Sequence, residues 1–452
     1  MKTQTWSSTP KFLLAAVGAS VGLANVWKFP TSVGTNGGGA FILVYFIAVT
    51  LIVVPILIGE LMIGRKTGKS PVMACIEIAR ENGLSRHWKW VGYMGVFACF
   101  AVLTYYSVIA GWTLDYAVQA MTGQLSGFDA VAANSAYTEM LASPMRMILS
   151  HTMFIAFTVL VILGGLHGGI ERLSSYAMPA FFLLLAALVV FAAFQGGFSK
   201  AAAFMFIPDF SKVTGLVVLN ALGQAFFSIG VGFCFMMMYG AFMEKDTHIP
   251  TTAFVIAYAD MFVAVLAGLA IFPMVFAYGF EASEGPGLIF VTLAAVFGNM
   301  TGGAFVGGMF FLLMMFAGLT SAVALLEPVV HHFEEKYEWN RRTITLLAGG
   351  VAWCVGVFMA LSYNVLADFH PLGFIEVLSN KNLFDLIDFI VSNIILPLGA
   401  LLICLLAGWA LSRDVVQKEL RFRASLSETV WRLSIRYLSP IALVVILITG
   451  IT

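Results

Sequence analysis

The sequence predicts an all-α polytopic membrane protein, on three observations. With 60% hydrophobic and 11% charged residues over 452 positions and a mean hydropathy of +0.94, an ordinary soluble domain is excluded. Eleven apolar runs, at 12–30, 40–64, 90–121, 148–166, 173–195, 216–243, 252–280, 304–332, 343–362, 384–411 and 436–451, approach or exceed the roughly 20 residues that one crossing needs. Two of these runs are interrupted by residues for which a continuous apolar helix has no use.

The first run contains VGASVGLANVWKFP, in which two glycines, Ala24, Asn25 and Lys28 break the apolar pattern. The sixth contains GQAFFSIGVGFCF, with Gly223, Gly230 and Gly232 around Ser228. Irregular backbone at membrane depth is tolerated only where it is buried in protein or lines a polar cavity, so this pair marks the expected ligand site.

Placing the amino terminus in the cytoplasm puts 19 of the 24 Lys and Arg residues inside, Lys2 and Arg423 among them, and the carboxyl terminus outside. The first run is long, is followed by NGGG and lacks an A-x-A-like site, so no cleavable signal is expected. The cysteines at 75, 99, 234, 354 and 404 form neither a disulfide framework nor a CxxC pattern. A net charge of zero gives no reason to expect nucleic acid, and the outside loops at about 123–145 and 363–382 are too short for a separate domain. No nucleophile–base pair, HExxH or phosphate loop is present, so an enzyme is not expected.

A broken run followed by four continuous ones, then a second such set, fits two halves of five crossings with one trailing helix. The residues carry a resemblance as well. VGLANVWKFP with NGGGAF at 36–41, YY at 105–106 with GW at 111–112, GGIER and AMP within 168–179, GQAFFSIGVGF at 223–233, AGLTS at 317–321 before Glu327-Pro328, and Asp388 follow in order over nearly the whole chain. They resemble the neurotransmitter:sodium symporter family, in particular its bacterial amino acid transporters of the LeuT type.

The resemblance implies a LeuT-type five-plus-five inverted repeat with broken helices 1 and 6 and one additional helix, eleven in all. It divides a single transporter domain, 1–452, into repeats at 10–195 and 215–412 and a cytoplasmic linker with a last helix at 413–452.

The positive end of a half helix suits a substrate carboxylate, and freed carbonyls suit its ammonium. By resemblance, the backbone N–H groups of Leu23 and Ala24 with the Tyr106 hydroxyl bind the carboxylate, and carbonyls of Ser20, Phe227 and Ser228 take the amine. Monoamine carriers of the family place an aspartate where this chain has Gly22, so an amino acid is expected. Its side chain is expected among Val102, Tyr106 and Ile109, which share one helical face, with Phe227, Phe233, Ser321 and Leu325; the alternative for these aromatics is plain helix packing. Gly230 is expected to leave room for a bulky aliphatic or aromatic group, whereas Ala24 and Cys234 stand where relatives commonly have glycine.

Sodium needs hard oxygen ligands, and Ala317, Thr320 and Ser321 at i, i+3, i+4 present a carbonyl and two hydroxyls on one face. With carbonyls of Gly18 and Val21 they resemble the family's second sodium site; back-bonding of the hydroxyls to their own helix is the alternative. Ser20, Asn25, Ser228 and Asp260, joined by the substrate carboxylate, resemble the first. Two sodium ions and no organic cofactor are expected.

Asp260, an acid in mid-membrane, is a functional candidate by default, or else a protonated, hydrogen-bonded group. Eukaryotic relatives hold chloride near the positions of Tyr45, Gln224 and Ser228, so a fixed carboxylate at Asp260 implies chloride independence.

Lys28 and Asp388 match the family's outer gate, a lysine standing where many relatives have arginine, with Phe233 as an aromatic lid. Trp6 and Glu335 match parts of the inner gate, but Thr3 stands where an arginine is usual and Phe242 where a tyrosine is. Gly169 and Pro179 resemble the glycine-x9-proline element whose unwinding admits water to the second sodium; a proline kink is the alternative. Glu60 and Glu327 are read as buried polar contacts or a proton path, and His331, His332, Glu334 and Glu335 as a solvated face.

The expected function is sodium-coupled symport of a hydrophobic L-amino acid into the cell by alternating access, in a multi-pass protein of the bacterial inner membrane. The alternative is an amino-acid sensor without transport. The expected partners are the substrate and the lipid bilayer, with a monomer or weak homodimer as the unit.

Overall fold

The computed structural model describes residues 5–279, 287–422 and 425–451, so Lys2, Thr3 and Arg423 lie outside the described residues. Among the described residues the chain is helical and forms no strand. The helices are α1 (Thr9–Ser20), α2 (Ala24–Thr35), α3 (Gly39–Thr67), α4 (Pro71–Glu81), α5 (Arg86–Met121), α6 (Ala130–Ala142), α7 (Pro144–Leu163), α8 (Leu166–Ala193) and α9 (Phe198–Phe206). They continue with α10 (Gly215–Ile229), α11 (Phe235–Ala241), α12 (Ile249–Ala277), α13 (Leu288–Asn299), α14 (Gly303–Tyr337), α15 (Arg341–Leu361), α16 (Leu383–Ala410), α17 (Arg413–Leu420) and α18 (Ser425–Ile451).

Local chemistry sets many of these boundaries. Pro10, Pro71, Pro144 and Pro250 stand in the first turn of α1, α4, α7 and α12, where the missing N–H costs nothing. Asp129 caps α6 by accepting from Ala132 N at 2.8 Å, and Thr214 Oγ1 accepts from Val217 N at 3.3 Å to start α10. The segment 123–145, a loop by sequence, thus carries the short helix α6. In α13, 7 of the 12 residues from Leu288 are leucine, isoleucine, phenylalanine or valine, and Leu288, Ile289, Phe290 and Leu293 are buried.

Nine described helices are long and apolar enough to cross a bilayer, and α1 with α2 makes a further span bent by 55°. α14, α5 and α3 are the most enclosed, and α14 packs most extensively on α5. α7, α8 and α18 form the rim. Leu149, Leu160, Leu183, Val190, Leu346, Phe358, Ile441 and Ile448 point outward, an arrangement stable only if lipid covers them.

Inside such an envelope helices associate through close backbone approach, not by a hydrophobic drive. α3 and α11 meet at Gly64 and Gly240, where an added methyl would overlap the Met237 carbonyl and reach 2.8 Å from the Leu61 carbonyl oxygen.

The break between α10 and α11 is held in a conformation that L side chains resist. Gly230, Gly232 and Cys234 all have positive φ, at 70°, 95° and 61°. The cysteine therefore occupies a left-handed site that favours glycine, at a cost of order 1–3 kcal/mol. The ring of Phe235 fills the space above Gly230, at 2.6 Å from a would-be Cβ, and the Leu396 carbonyl stands 2.7 Å from one at Gly232. A Gly232→Ala variant is expected to lose about 2 kcal/mol or more of stability, read as a lower melting temperature in detergent.

Candidate substrate and ion site

Val21 leaves helical geometry with ψ of 96°, which ends α1 and frees its last carbonyls. Asn25 stabilises the break: its Oδ1 accepts from Gly22 N at 3.1 Å, and its own N–H reaches the Gly22 carbonyl at 3.2 Å. On the opposite side Leu23 N donates to the Tyr106 hydroxyl at 3.3 Å. A carboxylate placed here would meet an N–H at the start of α2 and a phenol, both already aimed inward.

A side chain at Gly22 would crowd that approach. A Cβ there would lie 2.8 Å from Ser321 Oγ and 3.1 Å from Tyr106 Oη.

The second break is opened by a buried acid. Glu60 Oε1 accepts from Gly232 N at 2.6 Å, the N–H that a continuing helix would give to the Ser228 carbonyl. Glu60, 0% exposed, therefore holds the broken backbone apart. Nothing in the sequence pairs these two residues, which lie 172 positions apart.

A cavity of about 50 Å³ lies between the breaks, lined by Ala19, Ser20, Gly22, Leu23, Ala24, Val102, Tyr106, Phe227, Ser228, Gly230, Phe233, Phe235, Ser321 and Leu325. Twelve of the thirteen residues expected to surround the substrate line it; Ile109, buried on α5, does not. Pockets for ligands of drug size run to roughly 300–1,000 Å³, so the site is contracted. The room that Gly230 was expected to leave is taken by Phe233 and Phe235, which the substrate side chain must displace.

Asn25 Nδ2 donates to Asp260 Oδ1 at 2.8 Å, to the Asp260 carbonyl at 3.1 Å and to Ser228 Oγ at 3.2 Å. Ser228 Oγ donates to Asp260 Oδ2 at 2.6 Å, and the Tyr45 hydroxyl stands 3.5 Å from the same oxygen. Asn25, Ser228, Tyr45 and Asp260 thus form one buried network. Ser20 Oγ turns back to the Ala16 carbonyl at 3.2 Å, and Gln224 stays apart: its amide has no hydrogen-bond partner among the described residues and lines an outer cavity.

Ser321 Oγ bridges from α14 to the carbonyls of Ala19 at 3.2 Å and Val21 at 3.5 Å. Thr320 Oγ1 bonds back to Phe316 and Ala317 at 3.1 Å, and a Cβ on Gly18 would touch Thr320 Cβ at 3.4 Å. Gly18, Val21, Ala317, Thr320 and Ser321 therefore lie together along one seam, with the Thr320 hydroxyl in the back-bonding that was the alternative for it.

The outer cavity holds about 460 Å³ and is lined by Lys28, Ser32, Asn36, Asn220, Gln224, Phe227, Ser392 and Asn393. Lys28 and Asp388 form no ion pair in it: Lys28 Nζ lies 3.9 Å over the Phe227 ring, and Asp388 Oδ1 accepts from Ser392 at 3.0 Å. The other face is sealed. Trp6 donates from Nε1 to the Tyr239 carbonyl at 3.1 Å and from its backbone N to Phe242 at 3.0 Å, and packs on Phe12, Tyr239 and Phe242. Glu335 is not part of this seal and accepts instead from Ser70 N at 2.8 Å.

A latch built on the glutamate of GGIER replaces it. Glu171, at the start of α8, accepts from Lys11 Nζ at 2.7 Å, from Ser7 N at 3.3 Å and from the Ser7 hydroxyl, with His167 Nδ1 at 3.0 Å. It ties α1 to the π-helical turn Leu166–Glu171, so Gly169 sits in a wound segment here and Pro179 lies inside the helix beyond. A Glu171→Gln variant is expected to weaken the seal by about 1 kcal/mol, with roughly fivefold faster hydrogen exchange at 166–178.

One further reading changes, and the buried polar contact expected of Glu327 is present. His331 and His332 are not a solvated face: His331 packs on Phe242, and His332, 3% exposed, on Tyr93 and Phe333. Glu327 is paired with Arg341, which also holds Glu334 at 3.1 Å.

Two broken helices around a central pocket, with a larger cavity on one side and a latch on the other, form the pattern expected of a carrier. The family model for the sodium:neurotransmitter symporter family matches residues 3–140 and 141–452, and the chain belongs to that family. It is therefore a sodium-dependent secondary transporter, multi-pass and not an enzyme.

It is 36% identical to the uncharacterized sodium-dependent transporter YhdH of Bacillus subtilis, over 98% of this chain and 97% of that one. It is 30% identical to an uncharacterized sodium-dependent transporter of Haemophilus influenzae, over 99% and 98%. The crystal structure of MhsT in complex with L-phenylalanine superposes with a TM-score of 0.89 at 36% identity, covering 99% of both chains, and the fold is that of the LeuT type.

Proposed function

We propose that the protein carries a hydrophobic L-amino acid, aliphatic or aromatic, into the cell with two sodium ions and without chloride. The observation that carries this reading is the pairing of Leu23 N with Tyr106 beside a Gly22 that leaves no acid at the break. A carboxylate-bearing substrate is stabilised there, and an amine lacking a carboxylate is not. The walls of Val102, Phe227, Phe233, Phe235 and Leu325 favour an apolar side chain, in keeping with the phenylalanine in the MhsT complex.

Sodium in the Gly18–Ser321 seam would hold α1 against α14, and a second ion near Asn25 would share the substrate carboxylate. Each cargo then lowers the electrostatic cost of the other, and the coupling is reciprocal. The transport unit has eleven crossings, with its amino terminus in the cytoplasm and its carboxyl terminus outside, and repeats at 10–195 and 215–412; one helical bundle rocks against the rest.

Proteoliposome uptake of labelled phenylalanine, leucine and a monoamine tests the reading. An inward sodium gradient should drive accumulation of the amino acids alone, unchanged when gluconate replaces chloride. Binding without accumulation would make the protein a sensor.

A further inference from the structure

On the outer wall a groove of about 520 Å³ runs between α7 and α8, lined by Leu160, Val161, Gly169, Arg172, Tyr176 and Ala180. We propose that it is a binding site for one anionic phospholipid, with the headgroup phosphate on Arg172 and an acyl chain along Leu160 and Ala180.

The charge on this wall is unbalanced. Arg172 is exposed, and its guanidinium has neither an ion pair nor a hydrogen bond among the described residues. Glu171 is spent on Ser7, Lys11 and His167, and Glu327 and Glu334 on Arg341. A phosphate in the groove thus meets an uncompensated cation, and Tyr176, 73% exposed and one turn along the same face, adds a hydroxyl.

The depth fits a headgroup. Arg341 Nε donates to the Ile162 carbonyl at 3.2 Å, which places the end of α7 beside the exposed 338–340 turn. Gly169 abuts Val161 at that level. Arg172 lies three residues further along α8, roughly 4.5 Å beyond that level and at the edge of the apolar run 173–195. An arginine there is costly without a partner, but its side chain reaches the boundary, and basic pockets between helices at that depth suit acidic headgroups. A zwitterionic lipid would bring an amine for which the groove offers no carboxylate. The lipid would press on the turn Leu166–Glu171 and slow its opening.

Native mass spectrometry of the purified full chain after exchange with phosphatidylglycerol or phosphatidylcholine tests the proposal. The wild type should retain one phosphatidylglycerol at least fivefold over phosphatidylcholine. Arg172→Gln should abolish that preference, Ala180→Phe, which fills the groove, should reduce retention, and Arg86→Gln should change neither. A sodium-dependent thermal shift confirms that each variant is folded. Equal retention of the two lipids by the wild type, or undiminished phosphatidylglycerol on both groove variants, overturns the proposal and leaves only an unselective lipid annulus.

Discussion

Uptake by an Asp260→Ser variant is expected to fall about 100-fold in chloride-free medium and to recover substantially when chloride is added. Asp260 is wholly buried, and its carboxylate takes hydrogen bonds from Asn25 and Ser228 with Tyr45 alongside. Removing a buried charge from such a network costs about 3 kcal/mol or more, which converts to roughly two decades. The hole left beside Ser228 and Tyr45 is surrounded by donors and suits a small anion, so chloride should replace the lost charge. Uptake by the variant that is unaffected by removing chloride, or that chloride cannot raise, would separate Asp260 from the ion site.

Tyr106→Phe should weaken substrate binding by roughly 10- to 100-fold while leaving the fold intact. The phenol is the partner of Leu23 N and the one side-chain hydroxyl on α5 that lines the pocket. A hydrogen bond to a charged group contributes about 1.5–3 kcal/mol, and its loss also leaves a half-helix N–H unpaired. Equilibrium binding at saturating sodium measures it. A variant with wild-type affinity would place the carboxylate elsewhere.

Much of this site was legible in the sequence because local chemistry carries it. Glycines, an asparagine and a serine inside apolar runs are hard to explain in a membrane unless the backbone there is broken, and the structure breaks it at Val21–Leu23 and Gly230–Cys234. Thr320 and Ser321 share a helical face by spacing alone, and α14 delivers Ser321 to α1.

What remained hidden depends on tertiary placement. Glu60 meets Gly232 across 172 residues, and Ser7 and Lys11 meet Glu171 across 164 and 160; motifs mark Gly232 and Glu171 but not their partners. Lys28 prefers the face of Phe227 to a distant carboxylate, since a ring beside it attracts a cation without any closing motion of the helices. His331 and His332 looked wet because they fall at the end of the eighth crossing, but Tyr93, Phe242 and Phe333 cover them.

The central claim is that one contracted pocket binds sodium and a zwitterion together. Thermal stabilisation of the purified protein by a panel of L-amino acids, in sodium and in choline buffers, tests it most directly. The account predicts that a hydrophobic amino acid at 100 times its dissociation constant adds about 2.7 kcal/mol in sodium and almost nothing in choline. Equal stabilisation in the two buffers would contradict it.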